Sequence, residues 1–379
     1  MFSCCISFGQ KIETGAERTM EYFPLLKNKK IAVVANQTSI IGKVHLVDSL
    51  VAAGMKIKCV FAPEHGFRGE AEAGEHVADS KDKKTGLPIV SLYGAHKKPD
   101  EKDLSGVDIV VFDIQDVGVR FYTYISTLQY VMEVCAEKNI PVLVLDRPDP
   151  NGFYVDGPVL DTSYASFVGM NPIPVVHGLT VAEYALMLNG EGWLSKGKKC
   201  ELFYVKVKNW NHKVLYDLPV APSPNLPNMA AVYLYPSLCF FEGTDISVGR
   251  GTEYPFQVIG KPGLKKGAFR FVPRKIAGKA VNPLYENVEC NGYDLREFGM
   301  QYMSSAGQLY IYWLLELYRI SDNKEKYFIP FFDKLAGSDL LRKQIESNVS
   351  EEEIRNSWQQ GIEEFKVKRK RYLLYDDFE

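Results

Sequence analysis

Five apolar, β-branched runs in the first part of the chain leave it few folds to choose from. They fall at residues 30–36, 57–62, 87–93, 108–113 and 140–146. Between the first two, residues 45–53 place Val47, Leu50 and Val51 at helical spacing, and a second helix is predicted over 123–138. Runs of strand length without polar alternation suit strands buried on both faces. A parallel sheet covered by crossover helices buries both faces. The pattern predicts a Rossmann-like α/β domain built on a parallel sheet.

Four of these runs end in polar residues. Asn36, Gln37 and Thr38 follow the first, and Glu64, His65 and Arg68 the second. Asp113, Gln115, Asp116 and Arg120 follow the fourth, and Asp146, Arg147, Asp149 and Asn151 the fifth. Ligands of open α/β sheets sit outside the carboxyl ends of the strands, so this rim is a candidate site, although most such residues serve as caps and turn formers.

The texture changes near Ser166. With 379 residues, two domains are expected, and the division reads as a leader at 1–24, the Rossmann-like domain at 25–165 and a smaller α/β domain at 166–379. Thr180-Val181-Ala182-Glu183 has capping-box spacing and predicts a helix that Gly190 ends. Residues 200–210 alternate like a strand. Ser223-Pro224-Asn225-Leu226-Pro227-Asn228 is a stiff loop, because two prolines fix its backbone. A further helix is expected over 305–319, and residues 365–375 alternate as a strand would.

Composition removes whole classes. A balance of 45 Lys+Arg against 47 Asp+Glu, net −2, lacks the basic surplus that nucleic-acid binding requires. Apolar content of 46% excludes disorder, and no run approaches the ~20 apolar residues of a membrane span. Cys4, Cys5, Cys59, Cys135, Cys200, Cys239 and Cys290 contain no C-x-x-C pair, so neither a disulfide framework nor a structural zinc site is indicated. Cys59, Cys135 and Cys239 lie within apolar runs and read as small buried hydrophobes. The first ten residues are mildly apolar without a basic start, which suits either the tail of an export signal or an unstructured leader.

No phosphate loop, G-x-G-x-x-G, G-x-S-x-G or H-E-x-x-H motif is present, so no cofactor is expected. His65, His76 and His177 with Asp113, Asp146 and Glu64 would have to be assembled by the fold to bind a metal, and no metal is expected either. Paired carboxylates are the stronger chemistry: glycoside hydrolysis uses one acid to protonate the leaving oxygen and a second carboxylate on the opposite face. Glu64 is the candidate acid, with Asp116, Glu242 and Glu253 as possible partners. Twenty-two tyrosines would suit stacking on sugar rings.

Six segments are long and unusual: Phe61-Ala62-Pro63-Glu64-His65-Gly66-Phe67-Arg68-Gly69, the stretch from Phe112 through Gln115-Asp116 and Arg120-Phe121-Tyr122-Thr123 to Tyr124, Leu145-Asp146-Arg147-Pro148, Ser223-Pro224-Asn225-Leu226-Pro227, Phe241-Glu242-Gly243-Thr244 and Gly249-Arg250-Gly251-Thr252. Together the chain resembles the bacterial exo-β-N-acetylmuramidases of glycoside hydrolase family 171, over nearly its whole length. The resemblance implies an enzyme that removes N-acetylmuramic acid from the non-reducing end of peptidoglycan fragments, with a cleft between its two domains. It also implies export to the periplasm or outside the cell, with a lipid anchor upstream left open. Asp149 stands where the family pattern has Asn.

On this basis Glu64 is expected as general acid with His65 orienting it, and Asp116 or Glu242 as further catalytic carboxylate. Asn36, Gln115, Tyr122, Asn151, His177, Asn225 and Glu253 are candidate substrate contacts. The lactyl carboxylate of muramic acid needs a cation, and Arg68, Arg120 and Arg250 are the candidates, since Arg pairs with carboxylates in two-point geometry. Two competing possibilities are a non-catalytic muropeptide-binding protein and a metal-dependent hydrolase built on His65, His177 and Asp113.

Overall fold

The computed structural model describes residues 10–69 and 80–379. Cys4, Cys5, His76 and the first nine residues of the expected leader lie outside them. Seven strands form one sheet: β1 (Lys30–Ala35), β2 (Lys56–Ala62), β3 (Ser80–Lys81), β4 (Pro88–Ser91), β5 (Ile109–Asp113), β6 (Val142–Leu145) and β7 (Leu202–Val205). Their spatial order is β3-β4-β2-β1-β5-β6-β7. Every pairing is parallel except the edge pair β3–β4. The chain starts at β1, builds outward through β2, then crosses back to β5, so the order reverses beside β1, where such sheets open a crevice.

Strands β5 and β6 are buried at every residue, which is why they read as unbroken apolar runs. Alternate side chains serve two layers. Val33, Val60, Val111 and Leu143 pack against α1 (Thr19–Leu26) and α2 (Leu46–Ala52). Val34, Phe61, Phe112 and Val144 pack in the larger core with α3 (Tyr124–Lys138) and α4 (Val181–Gly190). The expected capping box at Thr180 and Glu183 is present.

Residues 10–24, counted with the leader or signal remnant, pack on the α/β domain: Glu13 exchanges backbone hydrogen bonds with Lys208 (3.1 and 2.8 Å), Gly15 donates to the Asp146 carbonyl (2.8 Å), and Ala16 and Tyr22 are fully buried. Three expectations are corrected. The parallel sheet does not stop at Ser166, because β7 pairs in register with β6. The helix expected over 305–319 starts later, since Gly307 turns left-handed (φ 58) and the regular helix is α6 (Tyr312–Arg319); α5 (Met229–Leu238) precedes it and α7 (Phe331–Ala336) follows. Residues 365–375 are no strand. Ser350 caps a long helix, α8 (Glu351–Arg369), through a capping box with Glu353, and Ile354, Trp358, Ile362 and Phe365 bury its inner stripe.

Beyond the sheet, β8 (Val258–Lys261), β9 (Phe269–Phe271) and β10 (Cys290–Asp294) form a small antiparallel sheet in the order β8-β10-β9. It belongs to a smaller C-terminal part whose side chains close the crevice at the carboxyl edge of the large sheet.

Candidate active site

Strand β2 ends at Ala62, and the chain turns sharply through Pro63, Glu64, His65 and Gly66. The Gly66 N–H donates to the Pro63 carbonyl (3.0 Å). His65 and Gly66 both take left-handed backbone (φ 70 and 77). A side-chain-bearing residue pays roughly 1–2 kcal/mol for that conformation, and such outliers gather at functional sites. The turn sends Glu64 into a cavity of about 630 Å³ and buries the His65 ring.

Glu64 Oε2 accepts a hydrogen bond from Thr123 Oγ1 (3.0 Å), which stands just ahead of α3. Its Oε1 has no hydrogen-bond partner among the described residues. His65 Nε2 shares a hydrogen bond with Ser223 Oγ (3.2 Å), and the Asn225 N–H donates to that same oxygen (3.1 Å). Burial lowers the His65 pKa, so the ring is neutral at neutral pH and acts as a support rather than a charge. The stiff loop ahead of Asn225 is pinned from the sheet side: Tyr122 Oη donates to the Pro222 carbonyl (2.8 Å) and Gln37 Nε2 to the same oxygen (3.2 Å).

The facing wall comes from the C-terminal part. Glu242 is clamped by Arg250, whose Nε meets Oε1 and whose Nη2 meets Oε2 (3.1 Å). Burial works against the Arg250 charge, yet Glu242 overrides it, and the guanidinium holds its proton more firmly than a free arginine. The Arg250 guanidinium sits 5.0 Å from the Phe256 ring centroid, and Phe256 meets Tyr235 edge-on (4.9 Å). Tyr122 meets Tyr235 in the same way (5.8 Å). Two carboxylates and an aromatic wall thus surround one solvent-connected space, the inventory that acid-assisted glycoside cleavage needs.

Of the candidate catalytic and substrate-binding residues, Glu64, His65, Tyr122, Asn225, Glu242 and Arg250 line this cavity. The other candidates do not. Asn36 lies behind it, donating to Tyr124 Oη (2.9 Å). Gln115 ties the Asp116 and Pro148 carbonyls together (2.9 and 2.7 Å), and Asn151 donates to the Val117 carbonyl (2.8 Å). Asp116 is buried beneath the site, where desolvation pushes it up to about 7. His177 is buried too, pushed down to about 3 by desolvation, and its Nδ1 accepts the Leu179 N–H. Glu253 is exposed outside the cavity.

Two of the three arginines are committed elsewhere. Arg68 forms ion pairs with Asp82 (2.8 Å) and Asp48 (2.9 Å). Arg120, fully buried, donates to four backbone carbonyls. The metal trio is not assembled: Asp113 is paired with Arg147 (2.6 Å), and neither it nor His177 reaches the cavity. Asp146 instead accepts from Thr180 Oγ1 (2.7 Å), the Ala182 N–H (2.9 Å) and Tyr375 Oη (2.6 Å), holding the start of α4.

Sequence reasoning missed Thr123 and Ser223, the supports of Glu64 and His65, although both lie within segments it singled out. It also missed Lys97, Phe167, Phe331 and Lys334 at the cavity wall, which belong to no motif.

The geometry defines a glycosidase-like site on an α/β scaffold. Residues 31–230 match the family model of exo-beta-N-acetylmuramidase NamZ, N-terminal, and residues 233–375 the corresponding C-terminal model. The peptidoglycan beta-N-acetylmuramidase NamZ of Bacillus subtilis (strain 168) is 38% identical, over 96% of this chain and 92% of its own length. Two solved structures of DUF1343 family proteins from Bacteroides fragilis NCTC 9343 superpose closely. One has a TM-score of 0.90 at 46% identity, covering 97% of this chain and 99% of its own. The other has a TM-score of 0.81 at 29% identity, covering 96% and 99%. The chain belongs to the NamZ exo-β-N-acetylmuramidase family and is a glycoside hydrolase.

Proposed function

We propose that the protein cleaves N-acetylmuramic acid from the non-reducing end of peptidoglycan fragments, with Glu64 as the general acid. The observation that carries this reading is the asymmetry of Glu64: Oε2 is anchored by Thr123 (3.0 Å), while Oε1 is left for substrate. A proton on Oε1 passes to the glycosidic oxygen as the bond from C1 to that oxygen breaks; water then adds its oxygen to C1, and the proton it releases restores the Glu64 acid. Glu242 has both of its oxygens held by Arg250. Its carboxylate, paired with that guanidinium, lines the same cavity. A cavity of about 630 Å³ falls in the range of small-ligand sites. The name of the Bacillus subtilis relative supports the substrate class. The same reading places the enzyme in the salvage of wall sugars, in the periplasm or outside the cell.

The test is product analysis after incubation with a disaccharide of N-acetylmuramic acid β-linked to N-acetylglucosamine. The expected products are the two free sugars in equal amounts. Saturable binding with no sugar released would make it a binding protein instead.

A further inference from the structure

If the substrate carries the lactyl carboxylate of muramic acid, something in the cavity must meet its charge. The arginines do not serve. Arg68 and Arg120 lie outside it, and Arg250 is already neutralised through both oxygens of Glu242. Two other cations line the same space, Lys97 and Lys334.

Neither lysine has a carboxylate partner among the described residues. Lys97 follows β4, and its ammonium rests 4.4 Å from the centroid of the Phe167 ring, which in turn stacks on Tyr130 (5.9 Å, 16°). An aromatic face holds a cation in place without cancelling its charge. The neighbouring Lys98 makes the contrast plain, since it turns away and pairs with Glu133 (2.8 Å). Lys334 lies on α7, one turn from Phe331, which lines the cavity while remaining 36% exposed. The adjacent Asp333 does not satisfy Lys334, because it is taken by Arg342 (2.9 Å). Among the described residues the cavity wall thus carries two lysines without a carboxylate partner, Lys97 over the Phe167 ring and Lys334 one turn from Phe331.

We propose that Lys97 and Lys334 form the anion-recognising end of the cavity and select muramic acid over glucosamine by binding its lactyl carboxylate. The assignment rests on the muramidase reading above. The aromatic rings next to them offer apolar surface to the sugar ring and the lactyl methyl group.

The test is calorimetric titration of the full chain with N-acetylmuramic acid and, separately, N-acetylglucosamine, for wild type, Lys97→Met, Lys334→Met and the double variant. Methionine keeps most of the length of the side chain and removes the ammonium with its charge and donors. Wild type is expected to bind N-acetylmuramic acid at least tenfold more tightly, with each single variant losing several-fold of that preference and the double variant losing nearly all. The wild-type preference is expected to shrink as salt is raised, because partly exposed charges are screened. A wild-type preference that survives in the double variant would overturn the lysine assignment and leave the muramidase reading standing. Equal affinity of wild type for both sugars would also overturn the lysine assignment, whereas the muramidase reading falls only if the disaccharide is bound and not cleaved.

Discussion

Asp116 and Asp149 meet around Gly118, beneath the floor of the cavity. Asp116 Oδ1 accepts the Gly118 N–H (2.8 Å), and the Asp149 carboxylate occupies the place a Cβ on Gly118 would need. One oxygen of each, Oδ2, is buried without a donor. Desolvation pushes Asp116 up to about 7 and Asp149 well above the usual carboxylate range, with the Asp116 charge adding to the effect at Asp149. A carboxyl whose folded-state pKa is raised holds protons that the unfolded chain has released above about pH 4. Its contribution to stability is therefore present at acid pH and lost as pH rises through the folded-state value. Asn at 149 would keep the acceptor for the Asn151 N–H (2.9 Å) and carry no charge at any pH. Asp149→Asn is expected to raise the thermal midpoint at pH 8 by a few degrees, roughly 1–2 kcal/mol, and to change it little at pH 5; equal shifts at both would refute the assignment. This scale is also where the sequence was least legible. Arg68, Arg120 and Arg250 sit in equally conspicuous motifs, but a guanidinium serves substrate or scaffold according to which acceptors the fold brings to it. Lys97 and Lys334 carry no local signal at all.

Secondary-structure elements were legible wherever their signal was local. The runs at 108–113 and 140–146 became β5 and β6 because strands buried on both faces require apolar residues throughout. The end of α8 was misread because residues 365–375 straddle a helix terminus and the tail beyond it, and the junction mimics alternation. The Ser350–Glu353 capping box at the other end was the stronger signal. Ser350 Oγ accepts the Glu353 N–H (3.2 Å), and the helix buries Trp358 against the main core. Ser350→Ala is expected to cost about 1 kcal/mol and Trp358→Ala about 3–5 kcal/mol, measured by chemical denaturation. Equal effects would contradict the larger share assigned to the packed stripe.

At the scale of the molecule, the two parts are held together by buried polar contacts that also shape the cavity. Arg120, from the segment after β5, donates to the Pro158 and Ile173 carbonyls (2.7 and 2.8 Å) and to Leu335 and Ala336 at the end of α7 (2.9 Å each). Burial lowers its pKa to about 9, so it is still charged at neutral pH. Arg120→Met would strand four carbonyls in the interior. A loss of about 3–5 kcal/mol is expected, seen as a lower denaturation midpoint with unchanged slope. Arg120→Lys is not expected to rescue it, because an ammonium cannot span two pairs of acceptors. Unchanged stability in Arg120→Met would contradict this role.

The central claim is that Glu64 gives the proton that the leaving sugar needs. It is tested most directly by comparing Glu64→Gln with wild type on two substrates: the muramic acid–glucosamine disaccharide and an aryl muramide whose nitrophenolate leaves without a proton. General-acid catalysis contributes about 10²–10⁴-fold. A loss of that order in kcat is predicted on the disaccharide, with a much smaller loss on the aryl muramide. Near-wild-type turnover of the disaccharide, or equal losses on both substrates, would contradict the account.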